Sequence, residues 1–259
     1  VLRTKVLRFF FKLWGIRVAV IDKGRKEKQE LTSRRAKVLR PLRSSFERYG
    51  EVFVSLGVSF VPNFVSLYDE GVGDEGLYSE LTPPKSSGER WIGVAPFAKH
   101  KGKIYPLDRM EKVVSKLSEE SRVKIFLFGS GDREREILSL WRERYPGGIS
   151  LADKRYGFAV ELSLMSRLDV MISMDSANMH LASLVEVPVV SVWGATHPYC
   201  GFLGWRQSDS GVVELPLDCR PCSVFGNKPC YRKDYACLEI APETIVDRVK
   251  SLETLIKEK

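Results

Sequence analysis

The sequence has 259 residues and lacks any apolar run close to the roughly 18–20 residues that a transmembrane helix requires. Its first residues do not have the pattern of a secretory signal peptide, and we expect none. The first residue is Val1 rather than Met, and the residues that follow have the spacing of an amphipathic helix, so we expect a fragment of a longer protein. Disorder of the whole chain is excluded, because 44% of the residues are hydrophobic and 29% are charged.

Cysteine is scarce and unevenly placed. Four of the five cysteines follow the pattern C-x2-C-x7-C-x6-C, at Cys219, Cys222, Cys230 and Cys237. An odd number of cysteines, one local cluster and no export signal predict a reducing compartment, for which the cytosol is the first candidate. Four thiolates at these spacings are compatible with a structural zinc ion, and also with reduced thiols or a local disulfide.

Acidic residues are rare at the start of the chain. Residues 1–49 contain fifteen Lys or Arg and only four Asp or Glu, whereas the whole chain carries a net charge of +8. The remainder is therefore slightly acidic, and the positive charge is concentrated in one region. Such a region indicates a local anionic partner, which is a nucleic acid, membrane headgroups or a phosphorylated substrate.

The N-terminal third shows two helical patterns with a short apolar run between them. Apolar spacing predicts helices over 1–14 and 42–56, and the β-branched run RVAVI (17–21) predicts a buried strand. Residues 66–90 are rich in Gly, Ser, Pro and acidic residues, which predicts a domain boundary. We expect a partial N-terminal domain over 1–85, a second domain over 86–241 and a C-terminal helix over 242–259.

From Trp91 onward, short apolar runs alternate with longer helical patterns. This alternation predicts βαβ units and an α/β fold, with a parallel sheet covered by helices on both faces. The predicted strands are 91–95, 123–128, 148–151, 169–173, 188–193 and 211–216. The predicted helices are 106–120, 132–144, 158–167, 176–186 and 242–257.

Four loops that follow predicted strands contain residues suited to a phosphate-bearing ligand. Ligands of an open parallel sheet bind in the crevice beyond the carboxyl ends of the strands. We therefore expect the loops 96–103, 129–132, 174–180 and 194–198 to face one cleft. Together they offer small residues, hydroxyls, basic side chains and an acid, which suit a phosphate with a sugar attached. The GSGD turn at 129–132 is a weak signal, because it has neither the GxGxxG fingerprint nor the GxxxxGK[ST] phosphate loop.

The segment MDSANMH (174–180) carries the strongest prediction of a site. Asp175 and Ser176 lie between a strand and a helix, where free backbone N–H groups and the helix dipole favour an anion. His180 lies about one helical turn further on, and Lys103 precedes another helix at the same edge, where a lysine can neutralise a diphosphate. The same residues also fit simpler roles, as a helix N-cap, a structural histidine and a solvated surface lysine.

These segments resemble a known family. The run ISMDSANMHLASLVEVPVVSVWGATHP is similar to the C-terminal domain of glycosyltransferase family 9, the lipopolysaccharide heptosyltransferases. Supporting stretches are APFAKHKGKIYPLDRM, the GSGD turn and the cysteine segment with CLEIAPETIV, while VLRTKVLR and VIDKGRKEK resemble the later half of the family's N-terminal domain. The resemblance implies a GT-B architecture, in which two Rossmann-like domains face each other and the C-terminal one holds a nucleotide-sugar donor.

The resemblance also implies roles for individual residues. Asp175, Ser176 and His180 match the family's donor-binding segment, Lys103 matches its phosphate-side lysine, and Ala177 stands where the family usually has Gly. The family's acidic general base lies near the start of its N-terminal domain, and no residue of this chain matches it. The expected donor-binding residues are Lys103, Gly129, Ser130, Gly131, Asp132, Asp175, Ser176, Ala177, His180 and Thr196.

The basic N-terminal residues are expected to face the acceptor or a membrane. We assign this role to Lys5, Arg8, Lys12, Lys23, Arg25 and Lys26. Each basic residue near an anionic membrane contributes about 1 kcal/mol of attraction, and a phosphorylated lipid A–core acceptor carries charge of the same sign. The alternative is a solvated helix face and a charged loop. A nucleic-acid partner is not expected, because Phe9, Phe10 and Phe11 are expected to belong to the core.

Together these observations predict a glycosyltransferase that moves a heptose or related sugar from an ADP-sugar to a lipopolysaccharide inner-core acceptor. The resemblance implies inversion at the anomeric carbon, no required metal or cofactor, and a cytoplasmic protein at the inner face of the inner membrane. Two other classes stay open. One is a nucleotide-sugar epimerase with the same architecture, and the other is a non-catalytic protein that only binds a sugar nucleotide.

Overall fold

The computed structural model describes residues 2–59 and 61–257, and a six-stranded parallel sheet forms its centre. The strands are β1 (Arg90–Ala95), β2 (Val123–Leu127), β3 (Gly148–Ser150), β4 (Val170–Met174), β5 (Val189–Trp193) and β6 (Val212–Glu214). Their order is β3-β2-β1-β4-β5-β6, and all neighbouring pairs are parallel. Strand addition reverses its direction between β1 and β4, so the ligand crevice of this sheet lies beyond those two strands.

Eight α-helices occur in the described residues, three before the sheet and five within or after it. They are α1 (Leu2–Leu13), α2 (Arg25–Leu31), α3 (Ser45–Ser55), α4 (Leu107–Ser118), α5 (Asp132–Arg144), α6 (Phe158–Met165), α7 (Ala177–Leu184) and α8 (Pro242–Lys257). The predicted α/β alternation is confirmed, and no bound of these strands and helices after residue 89 differs from its prediction by more than two residues.

Two apolar layers cover the sheet, one on each face. Successive residues of a strand point to opposite faces, and β1 shows this directly. Trp91 packs in the same cluster as Met179 of α7, whereas Ile92 packs with Val113 of α4 and Val249 of α8. Because both faces are buried, the strands are almost uniformly apolar, which is why their positions are easy to recognise.

The segment before the sheet departs from the sequence predictions. None of its described residues forms a strand, and none of residues 17–21 (RVAVI) is buried, so the strand prediction there is wrong. A strand requires a neighbour to take its backbone hydrogen bonds, and no neighbouring strand pairs with this run. Phe9, Phe10 and Phe11 are 60%, 46% and 38% exposed, so their expected place in the core is also wrong.

The N-terminal segment is nevertheless joined to the domain that contains the sheet by backbone hydrogen bonds. Ser45 N–H donates to Gly201 O over 3.0 Å, and Leu67 N–H donates to Leu184 O over 2.8 Å. Within the segment, the buried Arg48 of α3 donates to Glu27 of α2 over 2.6 Å, which ties these two helices together. No helix of the described ranges is both long enough and apolar enough to cross a bilayer.

Candidate functional site

A cavity of about 700 Å³, here called the main cavity, lies beyond the carboxyl ends of β1 and β4. This is the position that the reversal of strand order assigns to a ligand. Seven of the ten expected donor-binding residues line it, namely Lys103, Gly129, Ser130, Asp175, Ser176, Ala177 and His180. The loops after β1, β2 and β4 therefore face one cleft, as the sequence predicts.

Lys103 and Asp175 form an ion pair at the base of this cavity. Lys103 Nζ lies 3.1 Å from Asp175 Oδ2, and the two side chains are only 15% and 6% exposed. The Asp175 Oδ2 atom has no conventional hydrogen-bond partner in the described residues, so the lysine provides its main compensation. A buried ammonium beside an open cavity is well placed to meet a second anion.

Close backbone packing holds the stem of Lys103. Ala195 N–H donates to Gly102 O over 2.7 Å, and a Cβ atom on Gly102 would lie 2.8 Å from the Ala195 Cβ atom. On the other side, Gly226 has a φ of +69°, and a Cβ atom there would lie 2.5 Å from Lys103 Cγ. Glycine at 102 and 226 therefore lets two loops approach the lysine and fix its direction.

The first turn of α7 supplies the second feature suited to an anion. Ser176 is the N-cap residue of this eight-residue helix, yet its side chain makes no capping hydrogen bond, and its Oγ atom lies 3.2 Å from Ser173 Oγ. Among the described residues, no side-chain hydrogen bond therefore satisfies the first N–H groups of α7, which point towards the end of the helix that carries partial positive charge. The simpler role of Ser176 as a side-chain cap does not apply here.

His180 lies one turn along α7 and lines the same cavity. Burial lowers the pKa of His180 below its ordinary 6.5, and the positive charge of Lys103 lowers it further, although Asp175 acts in the opposite direction. The imidazole is therefore neutral near pH 7, with one nitrogen that accepts a hydrogen bond and one that donates.

Two carboxylates that the sequence analysis did not single out also line the main cavity. Glu134 of α5 accepts a 2.8 Å hydrogen bond from Ser130 N–H, and Glu161 lies in the first turn of α6. Both lie on helices in which acidic residues usually face solvent, so their residue types alone gave no signal. With Asp175 they make the cavity mixed in charge, and its positive character is confined to the end near Lys103.

The remaining expected donor residues lie outside the main cavity. Gly131 and Asp132 line an adjoining cavity of about 810 Å³, here called the side cavity. Thr196 is fully buried and does not line the main cavity, so the structure does not bring it together with the other expected donor residues. The loop 194–198, which the sequence places at the cleft, instead forms the packing layer that supports Lys103.

The buried Arg220 holds the loop 194–198 in place by hydrogen bonds. It is 2% exposed, and its guanidinium donates to the carboxylate of Glu214 over 2.8 Å. It also donates to four carbonyl oxygens, those of Trp193, Gly194, Thr196 and Leu215, over 2.5–3.1 Å. Every one of these carbonyls lies on β5, β6 or the loops after them. A basic residue in a polar loop is usually at the surface. The sequence around Arg220 therefore did not indicate that it is buried and binds these carbonyls.

The cysteine segment does not have the arrangement of a zinc site. Across residues 2–59 and 61–257, no three Cys, His, Asp or Glu side chains converge closely enough to hold a metal ion. Cys222 Sγ lies 3.4 Å from Cys219 O, and all four thiols are unpaired. Burial raises the pKa of Cys237 to about 11, so this thiol is neutral near pH 7. Reduced thiols fit this geometry, and a structural zinc ion at these four cysteines stays a prediction that the observed geometry does not support.

The basic N-terminal residues are distributed along the outer surface. Lys5, Lys12, Lys23, Arg25 and Lys26 are exposed, and Arg8 is half-buried. A further cation, Lys28 of α2, reaches the rim of the main cavity, because its Nζ atom lies 5.0 Å from the ring centre of Phe202, which lines that cavity. Burial lowers the pKa of Lys28 from its ordinary value.

The sheet order and the position of the cavity define a Rossmann-like domain of the GT-B type. Comparison of the sequence with family models agrees, since residues 73–230 match glycosyltransferase family 9 (heptosyltransferase). This match covers more than half of the chain, and the chain belongs to that family. The expected family and fold class are thereby confirmed.

Individual relatives support the same assignment. The chain is 24% identical over 172 residues to lipooligosaccharide heptosyltransferase 2 of Campylobacter jejuni serotype O:6, an alignment that covers 65% of this chain and 53% of that protein. Among solved structures, the E. coli ADP-heptose lps heptosyltransferase II has a TM-score of 0.61 at 19% identity, and the match covers 85% of this chain and 65% of that one. The E. coli heptosyltransferase WaaC with ADP has a TM-score of 0.57 at 16% identity, with 83% and 58% covered. The chain spans about half the length of the curated relatives it matches.

Proposed function

We propose that this protein transfers a heptose or related sugar from an ADP-sugar donor to a lipopolysaccharide inner-core acceptor, with inversion and without a catalytic metal. The observation that carries the proposal is the Lys103–Asp175 pair, which lies beside the uncapped first turn of α7 in the crevice of the sheet. Two solved relatives named for ADP-heptose and ADP support the nucleotide part of the donor.

The reaction creates negative charge where this site offers positive charge. The acceptor hydroxyl attacks the anomeric carbon and gives its proton to a general base, the bond between that carbon and the diphosphate oxygen breaks, and ADP leaves with the electron pair. Charge on the diphosphate grows as the bond breaks, so Lys103 and the N–H groups of α7 stabilise the transition state more than the ground state. Because Lys103 neutralises the leaving group, no divalent cation is needed for that role. The absence of a matching general base for the hydroxyl proton stays a prediction.

Three side chains of the main cavity suit the neutral parts of the donor. Asp175 and His180 lie close to the anion end, where the transferred sugar is attached, and both can hydrogen-bond its hydroxyls. Glu134 uses one carboxylate oxygen for Ser130 N–H and keeps the other for a ribose hydroxyl. We assign donor binding to these residues together with Lys103 and Ser176.

The first experiment is calorimetric titration of this chain with ADP and UDP and with their sugar conjugates. We expect the ADP compounds to bind and the UDP compounds to bind at least tenfold more weakly, because both relatives are named with an adenine nucleotide. If none of these compounds binds, the proposal is overturned.

The second measurement separates transfer from epimerisation. A transferase releases ADP from the donor only when the acceptor is present, whereas a nucleotide-sugar epimerase converts the donor without it. Acceptor-dependent ADP release therefore supports the proposal, and donor conversion in the absence of acceptor supports the alternative.

The acceptor side rests on the exposed basic surface of the N-terminal segment. Helix α1 has no buried residue and presents Phe9, Phe10 and Leu13 beside its cations, which is the composition of a helix that lies at a membrane interface. We assign a cytoplasmic location at the inner face of the inner membrane, where the phosphorylated lipid A–core acceptor would be met.

Vesicle pelleting at varied salt tests this surface. We expect the chain to pellet with anionic vesicles at low salt and to be released at high salt, because exposed charges are screened. Neutralising Lys23, Arg25 and Lys26 should weaken pelleting, while zwitterionic vesicles serve as the control. Pelleting that is independent of salt and of vesicle charge would end the electrostatic proposal.

A further inference from the structure

Glu161 occupies the junction of the two cavities. It lines both the main cavity and the side cavity, together with Leu151 and Phe158, which also line both. Phe158 is 67% exposed, so an aromatic ring stands at the mouth of this junction. The carboxylate is therefore presented to any ligand that extends from one cavity towards the other.

The position of this junction along the sheet suits the base end of a nucleotide. Lys103 and Asp175 follow β1 and β4, whereas Leu151 and Glu161 belong to the loop and helix after β3. Strand β3 is two positions from β1, and neighbouring strands lie about 4.8 Å apart, so the carboxyl ends of these two strands are separated by roughly 10 Å across the sheet. A nucleoside diphosphate held by its phosphates at Lys103 reaches this far with its base.

Glu161 is also the cavity carboxylate without a protein partner. Asp175 faces Lys103 and Glu134 accepts from Ser130 N–H, but no hydrogen bond or ion pair involves the Glu161 side chain within the described ranges. Burial raises the pKa of Glu161, with no neighbouring charge to compensate. A half-buried carboxylate at the junction of two cavities, with no protein partner, is available to accept a hydrogen bond from a ligand.

We propose that Glu161 accepts a hydrogen bond from the exocyclic amino group of the donor's nucleobase and thereby selects adenine. A carboxylate accepts from an amino group and repels a carbonyl oxygen, so it distinguishes adenine from a base with oxygen at the same position. Leu151 and Phe158 provide the apolar surface against which the base lies. This inference rests on the proposed function, because it requires an ADP-sugar donor.

The test compares ADP, IDP and 2′-deoxy-ADP by calorimetric titration. IDP differs from ADP by having a carbonyl oxygen in place of the amino group and a hydrogen on N1, and 2′-deoxy-ADP lacks one ribose hydroxyl. The unaltered chain should bind ADP at least tenfold more tightly than IDP. In Glu161→Leu, ADP affinity should fall about tenfold and IDP affinity should stay the same or rise. Glu161→Gln should reduce the preference for ADP over IDP, because the glutamine amide can turn an N–H group towards the oxygen of IDP.

A matched control variant and three separate outcomes distinguish failure of this inference from failure of the proposed function. Glu136→Gln alters an exposed acid of the same protein that lines neither cavity and should change no affinity. Equal affinities of the unaltered chain for ADP and IDP would overturn the inference and leave the proposed function intact. An effect of Glu161→Leu that disappears with 2′-deoxy-ADP would assign the carboxylate to the ribose and also overturn it. Failure of all nucleotides to bind the unaltered chain would instead remove the proposed function.

Discussion

Replacing Lys103 by Ala is expected to slow sugar transfer by about 100-fold or more while weakening donor binding only about tenfold. The smaller effect reflects loss of a charge-assisted hydrogen bond to the bound diphosphate. The larger effect reflects loss of a preorganised cation at a position where charge grows as the sugar departs. Acceptor-dependent release of ADP measures the rate, and calorimetry with ADP measures the affinity.

Lys101→Ala is the matched control for that experiment. Lys101 lies two residues away in the same short 3-10 helix, is exposed, and has its Nζ atom 5.2 Å from the ring centre of Tyr235 and outside the main cavity. Its removal should leave both rate and affinity unchanged. An unaltered rate in Lys103→Ala would exclude this lysine from the chemistry, whatever its effect on binding.

Replacing Arg220 by Met should lower the free energy of unfolding by about 3–5 kcal/mol. The change leaves Glu214 without its buried partner and deprives four carbonyl oxygens of their donors, which is the situation in which removing one member of a buried pair is most destabilising. For a chain of this size the melting temperature should fall by roughly 6–20 °C. Thermal unfolding followed by circular dichroism provides the measurement.

Loss of Arg220 should also weaken donor binding. Its carbonyl partners include those of Gly194 and Thr196, and the loop between them supports Gly102 and hence Lys103. Donor affinity should therefore fall in Arg220→Met even at temperatures where the protein is folded. The control is Arg232→Met, which removes an exposed ion pair with Asp234 and should leave the melting temperature nearly unchanged. Equal melting temperatures for the two variants would contradict the structural role of Arg220.

The sheet could be predicted from the sequence because its strands are buried on both faces. Continuous apolar runs and longer amphipathic segments alternate regularly after Trp91, and neither pattern depends on distant parts of the chain. The run RVAVI (17–21) has the same local appearance but lies in partly exposed coil. A strand depends on a hydrogen-bonding neighbour as well as on its own side chains, and a local pattern carries no information about that neighbour.

The main cavity could be predicted in part, for a related reason. The rule that ligands bind beyond strand ends located Lys103, Asp175 and His180, because each lies in or soon after a loop that follows a strand. Glu161 lies on a helix after the edge strand, where only the three-dimensional path shows that it lines the main cavity. Arg220 could not be found either, because burial of a charged residue depends on carbonyl groups from distant loops.

The Lys103–Asp175 pair has a further consequence for how a ligand enters and leaves. A phosphate that approaches the ammonium competes with a carboxylate 3.1 Å away, so binding exchanges one anionic partner for another rather than satisfying a bare charge. A weakly charged sugar does not attract the ammonium strongly enough to displace the carboxylate, whereas a diphosphate does. When the spent nucleotide departs, the aspartate can recapture the lysine at once. We therefore expect this acid to limit product retention, so that turnover does not stall on its own leaving group.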